Sequence, residues 1–147
     1  MEKKEKYLQL LKQAKQLVDP KVGRISNMAN LSRLLFDVFQ HHWCGFYLVE
    51  NGRLELGPFQ GPIACTTIEK GKGVCGSSWE KRETLVIEDV HQFDGHIACS
   101  ALSNSEIVVP CFNQDGEVYA VLDIDSVNFD EFNEVDKECF EQLVKLL

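Results

Sequence analysis

Asn51-Gly52 sits between two apolar runs, and no other short feature constrains the fold as strongly. A tight hairpin turn needs positive φ at its central residues, which Asn and Gly tolerate at least cost, so this dipeptide predicts a β-hairpin. Residues 43 to 50 are aromatic and apolar, and residues 53 to 56 carry the return strand. A second pair, residues 105 to 112 and 117 to 125, closes across Asn113, Gln114, Asp115 and Gly116, and residues 84 to 88 read as a further short strand. Helical spacing surrounds these strands. Tyr7, Leu11, Ala14 and Val18 share one face of a helix stopped at Asp19-Pro20. Ile25, Met28, Leu31, Leu35 and Val38 predict a second helix over 24 to 40. Val135, Cys139, Phe140, Leu143, Val144 and Leu147 predict a last one, with Asn133 as its N-cap. The order helix, helix, hairpin, loops, hairpin, helix does not alternate strand with helix. It predicts an α+β domain spanning 1–147, a central antiparallel sheet with flanking helices. Between 57 and 105 glycines and polar residues dominate, and so long a loop in a compact domain is expected to be functional.

Parity along the second hairpin places chemistry on one face. In 117 to 125, Val118, Ala120, Leu122 and Ile124 point one way, and Tyr119, Val121, Asp123 and Asp125 the other. A two-residue turn at Asp115-Gly116 puts Glu106 opposite Asp125, and a four-residue loop puts it opposite Asp123. Either register gathers Glu106, Asp123 and Asp125 on one face, whereas a three-residue loop or a bulge breaks the inference. The plain reading is a solvated sheet face. Against it, facing like charges are unfavourable. Close carboxylates relieve that by sharing a proton, and a carboxylic acid that stays protonated near neutral pH suits a reaction in which oxygen must leave as water.

The net charge of −8 argues against a nucleic-acid or anionic-membrane partner bound through a basic face. No apolar run approaches the roughly 20 residues of a membrane helix. The charged N-terminus lacks the apolar core of a signal peptide, so the chain is expected in the cytoplasm. In that reducing compartment six cysteines without a C-x-x-C pair are not a disulfide framework. Cys44, Cys111 and Cys139 fall in apolar runs and read as packing residues. Cys65, Cys75 and Cys99 fall in Gly-rich, loop-like stretches, where chemistry is more often found. Gly71, Gly73 and Gly76 do not make a P-loop, because Lys72 is not followed by Ser or Thr.

Several separated blocks together resemble the free methionine-R-sulfoxide reductases, which are GAF-like domains. They are Leu56-Gly-Pro-Phe-Gln-Gly-Pro-Ile-Ala-Cys65, Gly71-Lys-Gly-Val-Cys-Gly76, Gly95-His-Ile-Ala-Cys99 and Ser105-Glu-Ile-Val-Val-Pro110, with Trp43-Cys-Gly-Phe-Tyr47 and Leu122-Asp-Ile-Asp125. The resemblance implies that Cys99 attacks the sulfoxide sulfur, that Cys65 resolves the resulting sulfenic acid as a disulfide, and that Cys75 is auxiliary. It implies that Trp43 and Tyr47 wall the S-methyl group, and that Glu106, Asp123 and Asp125 contact the sulfoxide and the substrate. The implied substrate is free methionine-R-sulfoxide and the implied reductant thioredoxin, with no cofactor and no metal; a homodimer is compatible with it. In one departure, Ser100 follows Cys99 where the family commonly has Asp. Thiolate attack, proton donation to the leaving oxygen and thiol–disulfide exchange are chemistry these residue types perform. The rival expectations are a non-catalytic GAF module that senses a small molecule or redox state, and a zinc site of Cys65, Cys75, Cys99 and His96, whose spacings match no common finger.

Overall fold

The computed structural model describes residues 2–96 and 102–147, so the assignments to Cys99 and Ser100 lie outside the described residues. Two helices open the chain, α1 (Lys3–Leu17) and α2 (Arg24–Phe39), followed by the hairpin β1 (Trp43–Glu50) and β2 (Arg53–Gln60). Asn51 and Gly52 both take positive φ at its turn, 55° and 76°, as the dipeptide required. Then come β3 (Thr67–Ile68), α3 (Gly73–Lys81), β4 (Leu85–Ile87), a 3-10 turn at Val90–Gln92, the hairpin β5 (Ser105–Phe112) and β6 (Val118–Ser126), and α4 (Glu134–Val144). The six strands form one sheet in the order β3-β2-β1-β6-β5-β4 with every neighbour antiparallel.

The stretch from 57 to 105 is less irregular than its composition suggests. It holds the second half of β2, all of β3, α3 and β4, and the 3-10 turn. Cys75 accordingly lies within α3 and not in a loop. Glycine disfavours helix, so Gly73 and Gly76 hid the element. The reason for Gly76 is tertiary: a Cβ there would sit 2.4 Å from the Glu69 carbonyl oxygen. No helix among the described residues is long and apolar enough to cross a membrane.

Alternation along the strands gives the sheet two apolar faces. Cys44, Phe46, Ile107, Val109, Ala120, Leu122 and Ile124 face α1, α2 and α4, which contribute Leu10, Met28, Leu31, Leu35, Phe140 and Leu143. Cys111 and Cys139 belong to the same cluster, so all three cysteines read as packing residues are buried in it. Asn133 caps α4 as expected, its Oδ1 accepting from Val135 N at 3.0 Å while Asp136 Oδ2 accepts from Asn133 N at 2.8 Å. That carboxylate also receives Lys3 Nζ at 2.6 Å and the Tyr7 hydroxyl, which ties α1 to α4. On the opposite face Trp43, Tyr47, Val108 and Val121 pack with Val74, Cys75 and Trp79 of α3. The functional site lies on this second face.

Candidate active site

Glu106 faces Asp125 across the β5–β6 ladder, with Val108 opposite Asp123. This is the register of a two-residue turn, yet the turn has three residues. Asn113 N donates to Glu117 O at 2.8 Å, and Gly116 takes φ +77°, leaving 114 to 116 as the loop. A bulge compensates. Cys111 is opposite Ala120 and Phe112 opposite Val118, so Tyr119 has no partner and β6 carries one extra residue. The shortened register and the bulge cancel, and all three acids reach one face. They do not form a solvated face: Glu106 and Asp123 are each 6% exposed.

β1 completes the wall. Trp43 lies opposite Asp125 and Gly45 opposite Asp123 on β6, which sets the Trp43 and Tyr47 side chains on the acids' face. Gly45 is needed there, since a Cβ would meet Phe59 Cβ at 2.3 Å. That close approach lets Phe59 stack on Trp43 at 5.2 Å between centroids and 15°, and Tyr47 also stacks on Trp43, at 5.8 Å and 24°. Both polar tips hold the next segment in place: Trp43 Nε1 donates to Pro62 O at 3.1 Å and Tyr47 Oη to Cys65 O at 3.0 Å.

The result is an open pocket enclosing about 540 Å³ including its mouth. Trp43, Tyr47, Cys75, Glu106, Asp123 and Asp125 all line it, so six of the residues singled out from the sequence come together. Cys65 is the seventh by position, its backbone bonded to Tyr47 and its neighbour Ala64 in the pocket wall. Cys65 is disulfide-bonded, whereas Cys44, Cys75, Cys111 and Cys139 are free thiols. Sequence reasoning gave no role to Ser103 or Ile63, which also line the pocket, and named His96, a third lining residue, only within the rival zinc set. Only His96 carried a signal, its place in the Gly95-to-Cys99 block. Ile63 stands 92% exposed at the rim.

Electrostatics in the pocket follow from burial and crowding. Glu106 is pushed well above the usual carboxylate range by burial and by the charges of Asp123 and Asp125. Asp125 is also held well above it, by burial and by Asp123. Asp123 is raised by burial, but Glu106, Asp125 and Cys75 offer it protons and pull it back. Burial and mutual repulsion therefore favour the protonated forms of Glu106 and Asp125, and the three acids titrate as one coupled unit. Cys75 is the third residue of α3, where a helix N-terminus ordinarily favours a thiolate. Here burial and the charges of Asp123, Glu106 and Asp125 win, and its thiol is held well above its ordinary value. Burial keeps His96 towards the neutral form, with His91 adding to the effect and Asp123 opposing it.

Such a pocket can receive a neutral, polarisable group against its rings and pass a proton to an oxygen at its floor. Among the described residues, the donors gathered closely enough to hold a metal are Cys75, Glu106 and Asp123. Cys65 is engaged in its disulfide, and Cys75 instead meets Glu106 and Asp123, with one ligand atom from each within 4.8 Å of the others.

The same architecture recurs in known proteins. The family described as GAF domain matches residues 28–147. The "GAF domain-containing protein A" of Dictyostelium discoideum is 48% identical over 99% of this chain and 92% of its own. The "Free methionine-R-sulfoxide reductase" of Escherichia coli is 45% identical over 100% of this chain and 89% of its own. The X-ray structure of the free methionine-R-sulfoxide reductase from Neisseria meningitidis, in complex with its substrate, superposes with a TM-score of 0.96 at 43% identity, covering 99% of this chain and 88% of that one.

Proposed function

The chain belongs to the GAF-domain family of free methionine-R-sulfoxide reductases, and on that premise we propose that it reduces free L-methionine-R-sulfoxide to methionine. The observation that carries the reading is Glu106 facing Asp125 across adjacent strands, with Asp123 beside them, in a pocket walled by Trp43 and Tyr47, a crowding that favours a protonated acid. A sulfoxide places an uncharged S-methyl group beside an oxygen that must gain a proton as its bond to sulfur breaks. The rings suit the first and the buried acids the second.

In the proposed cycle the Cys99 thiolate attacks the sulfoxide sulfur while an acid of the cluster protonates the oxygen. The transient bond between the two sulfurs then breaks, the oxygen passes from the substrate sulfur to Cys99, and methionine leaves with Cys99 as a sulfenic acid. The Cys65 thiol then displaces that oxygen as water and forms a disulfide, which the dithiol of thioredoxin exchanges away. Two facts support the assignment to Cys65. It is disulfide-bonded, and its partner is none of the free thiols Cys44, Cys75, Cys111 and Cys139. Cys75 is an unsuitable first nucleophile, since three acids and full burial oppose its thiolate.

A thioredoxin-coupled assay on free R, free S and peptide-bound methionine sulfoxide tests this. Turnover of the free R epimer alone is expected, and Cys99→Ser should abolish it while the fold survives. Comparable turnover of peptide-bound substrate, or normal turnover by Cys99→Ser, defeats the proposal.

A further inference from the structure

We propose that the pocket floor is a site for one divalent cation of the Zn²⁺ type, held by Cys75 Sγ, one oxygen of Glu106 and one oxygen of Asp123, and that the ion excludes the sulfoxide when bound. The exclusion rests on the substrate reading above; the ion site does not.

Three elements deliver the three donors, α3, β5 and β6, and every pair of donor atoms lies within 4.8 Å. Cys75 Sγ is 4.0 Å from Glu106 Oε2. Bonds of about 2.3 Å to sulfur and about 2.1 Å to oxygen at tetrahedral angles set donor separations of about 3.5 Å, so side-chain adjustments of about 1 Å close the cage. An independent observation points to a ligand. Although Glu106, Asp125 and Cys75 share protons with the Asp123 carboxylate, its Oδ1 atom is left with no hydrogen-bond partner in a residue that is only 6% exposed and lines the pocket. A buried carboxylate oxygen without a donor carries a desolvation cost that a cation offsets. No Lys or Arg is available for that task among the described residues lining the pocket.

The donor set selects the ion. Mg²⁺ and Ca²⁺ take oxygen donors and leave a thiolate aside, whereas one thiolate with two carboxylates suits Zn²⁺. Three protein donors leave the fourth position to water, and the open mouth supplies the path. The Cys75 and Glu106 protons pass to solvent as the ion binds, displaced by its charge. Of the cysteines the site uses Cys75 alone, which is free while Cys65 is disulfide-bonded. Binding therefore does not require reduction of that disulfide.

The test uses the full chain, freed of metal and with its disulfide intact. Zn²⁺ is titrated against a chromophoric chelator, and Co²⁺ is titrated for its absorption spectrum. One ion per chain and a thiolate-to-cobalt charge-transfer band are expected, with affinity falling more than about tenfold in both Cys75→Ser and Asp123→Asn. Absence of stoichiometric binding, equal affinity in the variants, or binding only after reduction overturns the site. If Cys75→Ser fails to fold, the wild-type cobalt spectrum decides, and ligand-field bands without a charge-transfer band overturn the site. Added free methionine-R-sulfoxide should weaken Zn²⁺ binding, and an unchanged titration overturns the exclusion. None of these readings uses turnover, so an inactive preparation would count against the reductase reading and not against the ion site.

Discussion

Glu106 and Asp125 occupy facing positions on adjacent strands, with Asp123 two residues along from the second. Three acids so placed cannot all be ionised cheaply in a buried pocket, and the cost falls on Glu106 and Asp125, which keep their protons well above the usual range. A proton donor loses rate as pH rises through its raised value, whereas an attacking thiol gains rate as it ionises, so their product is bell-shaped. Glu106→Gln should lower the single-turnover rate by about 10²-fold and remove much of the falling limb while the rising limb remains. Stopped-flow release of methionine across pH measures this, and an unaltered falling limb would take the donor role away from Glu106. Tyr47 acts differently, because its hydroxyl reaches the carbonyl of Cys65 at 3.0 Å. Tyr47→Phe keeps the ring and loses a hydrogen bond of about 1 kcal/mol, which loosens the segment that presents Cys65. The first turnover should survive and steady-state turnover should fall several-fold, as burst amplitude against steady rate would reveal. A uniform loss in both phases would assign Tyr47 to substrate binding instead.

At the scale of elements, α3 carries Cys75 into the pocket, and its seating on the 69–71 turn depends on Gly76. Gly76 N donates to Lys72 O at 3.0 Å, and Gly71 N donates to Gly76 O at 2.9 Å. Gly76→Ala forces a Cβ to 2.4 Å from the Glu69 carbonyl, a backbone clash that moves the helix or the turn. It should cost about 1–3 kcal/mol and raise the KM for substrate, read from thermal melts and initial rates. An unchanged melting temperature would show that the turn yields freely. This dependence explains why α3 was illegible in the sequence. Gly71, Gly73 and Gly76 are chosen by what lies beside them, and their propensities point away from a helix. The β1–β2 hairpin was legible because Asn51 and Gly52 name their own turn geometry. The β5–β6 hairpin was legible for a less direct reason. Its three-residue turn and the unpaired Tyr119 each shift the register by one, in opposite senses, so the parity argument survives two irregularities that singly would have broken it.

For the molecule as a whole, the sheet buries both faces, and the two do different work. One packs on α1, α2 and α4 with aliphatic and aromatic side chains whose helical and strand periods were plain in the sequence. The other is a smaller cluster interrupted by the pocket, and its depth came from α3 and from Ile63, Ala64, His96 and Ser103, which no period announced. Placing acids in that second face has a consequence for stability. Glu106 and Asp125 are raised above their ordinary values of 4.5 and 3.8, so the folded chain binds more protons than the unfolded chain above those values. Their contribution is fully favourable below the ordinary range and is lost as pH rises through the raised values. Glu106→Gln keeps a neutral side chain of similar shape and cannot ionise, so it escapes that loss. The variant should match the wild type near about pH 4 and exceed it near about pH 8 by about 2 kcal/mol, the scale of a buried polar group without its partner. In a chain of 147 residues that is about 4–8 °C in melting temperature. The same substitution that slows the chemistry thus strengthens the fold, as expected where a site retains unfavourable groups for function. Parallel melting curves for the two proteins across pH would mean that Glu106 ionises as easily in the folded chain as in water, and the case for a proton held at the pocket floor would fall with it.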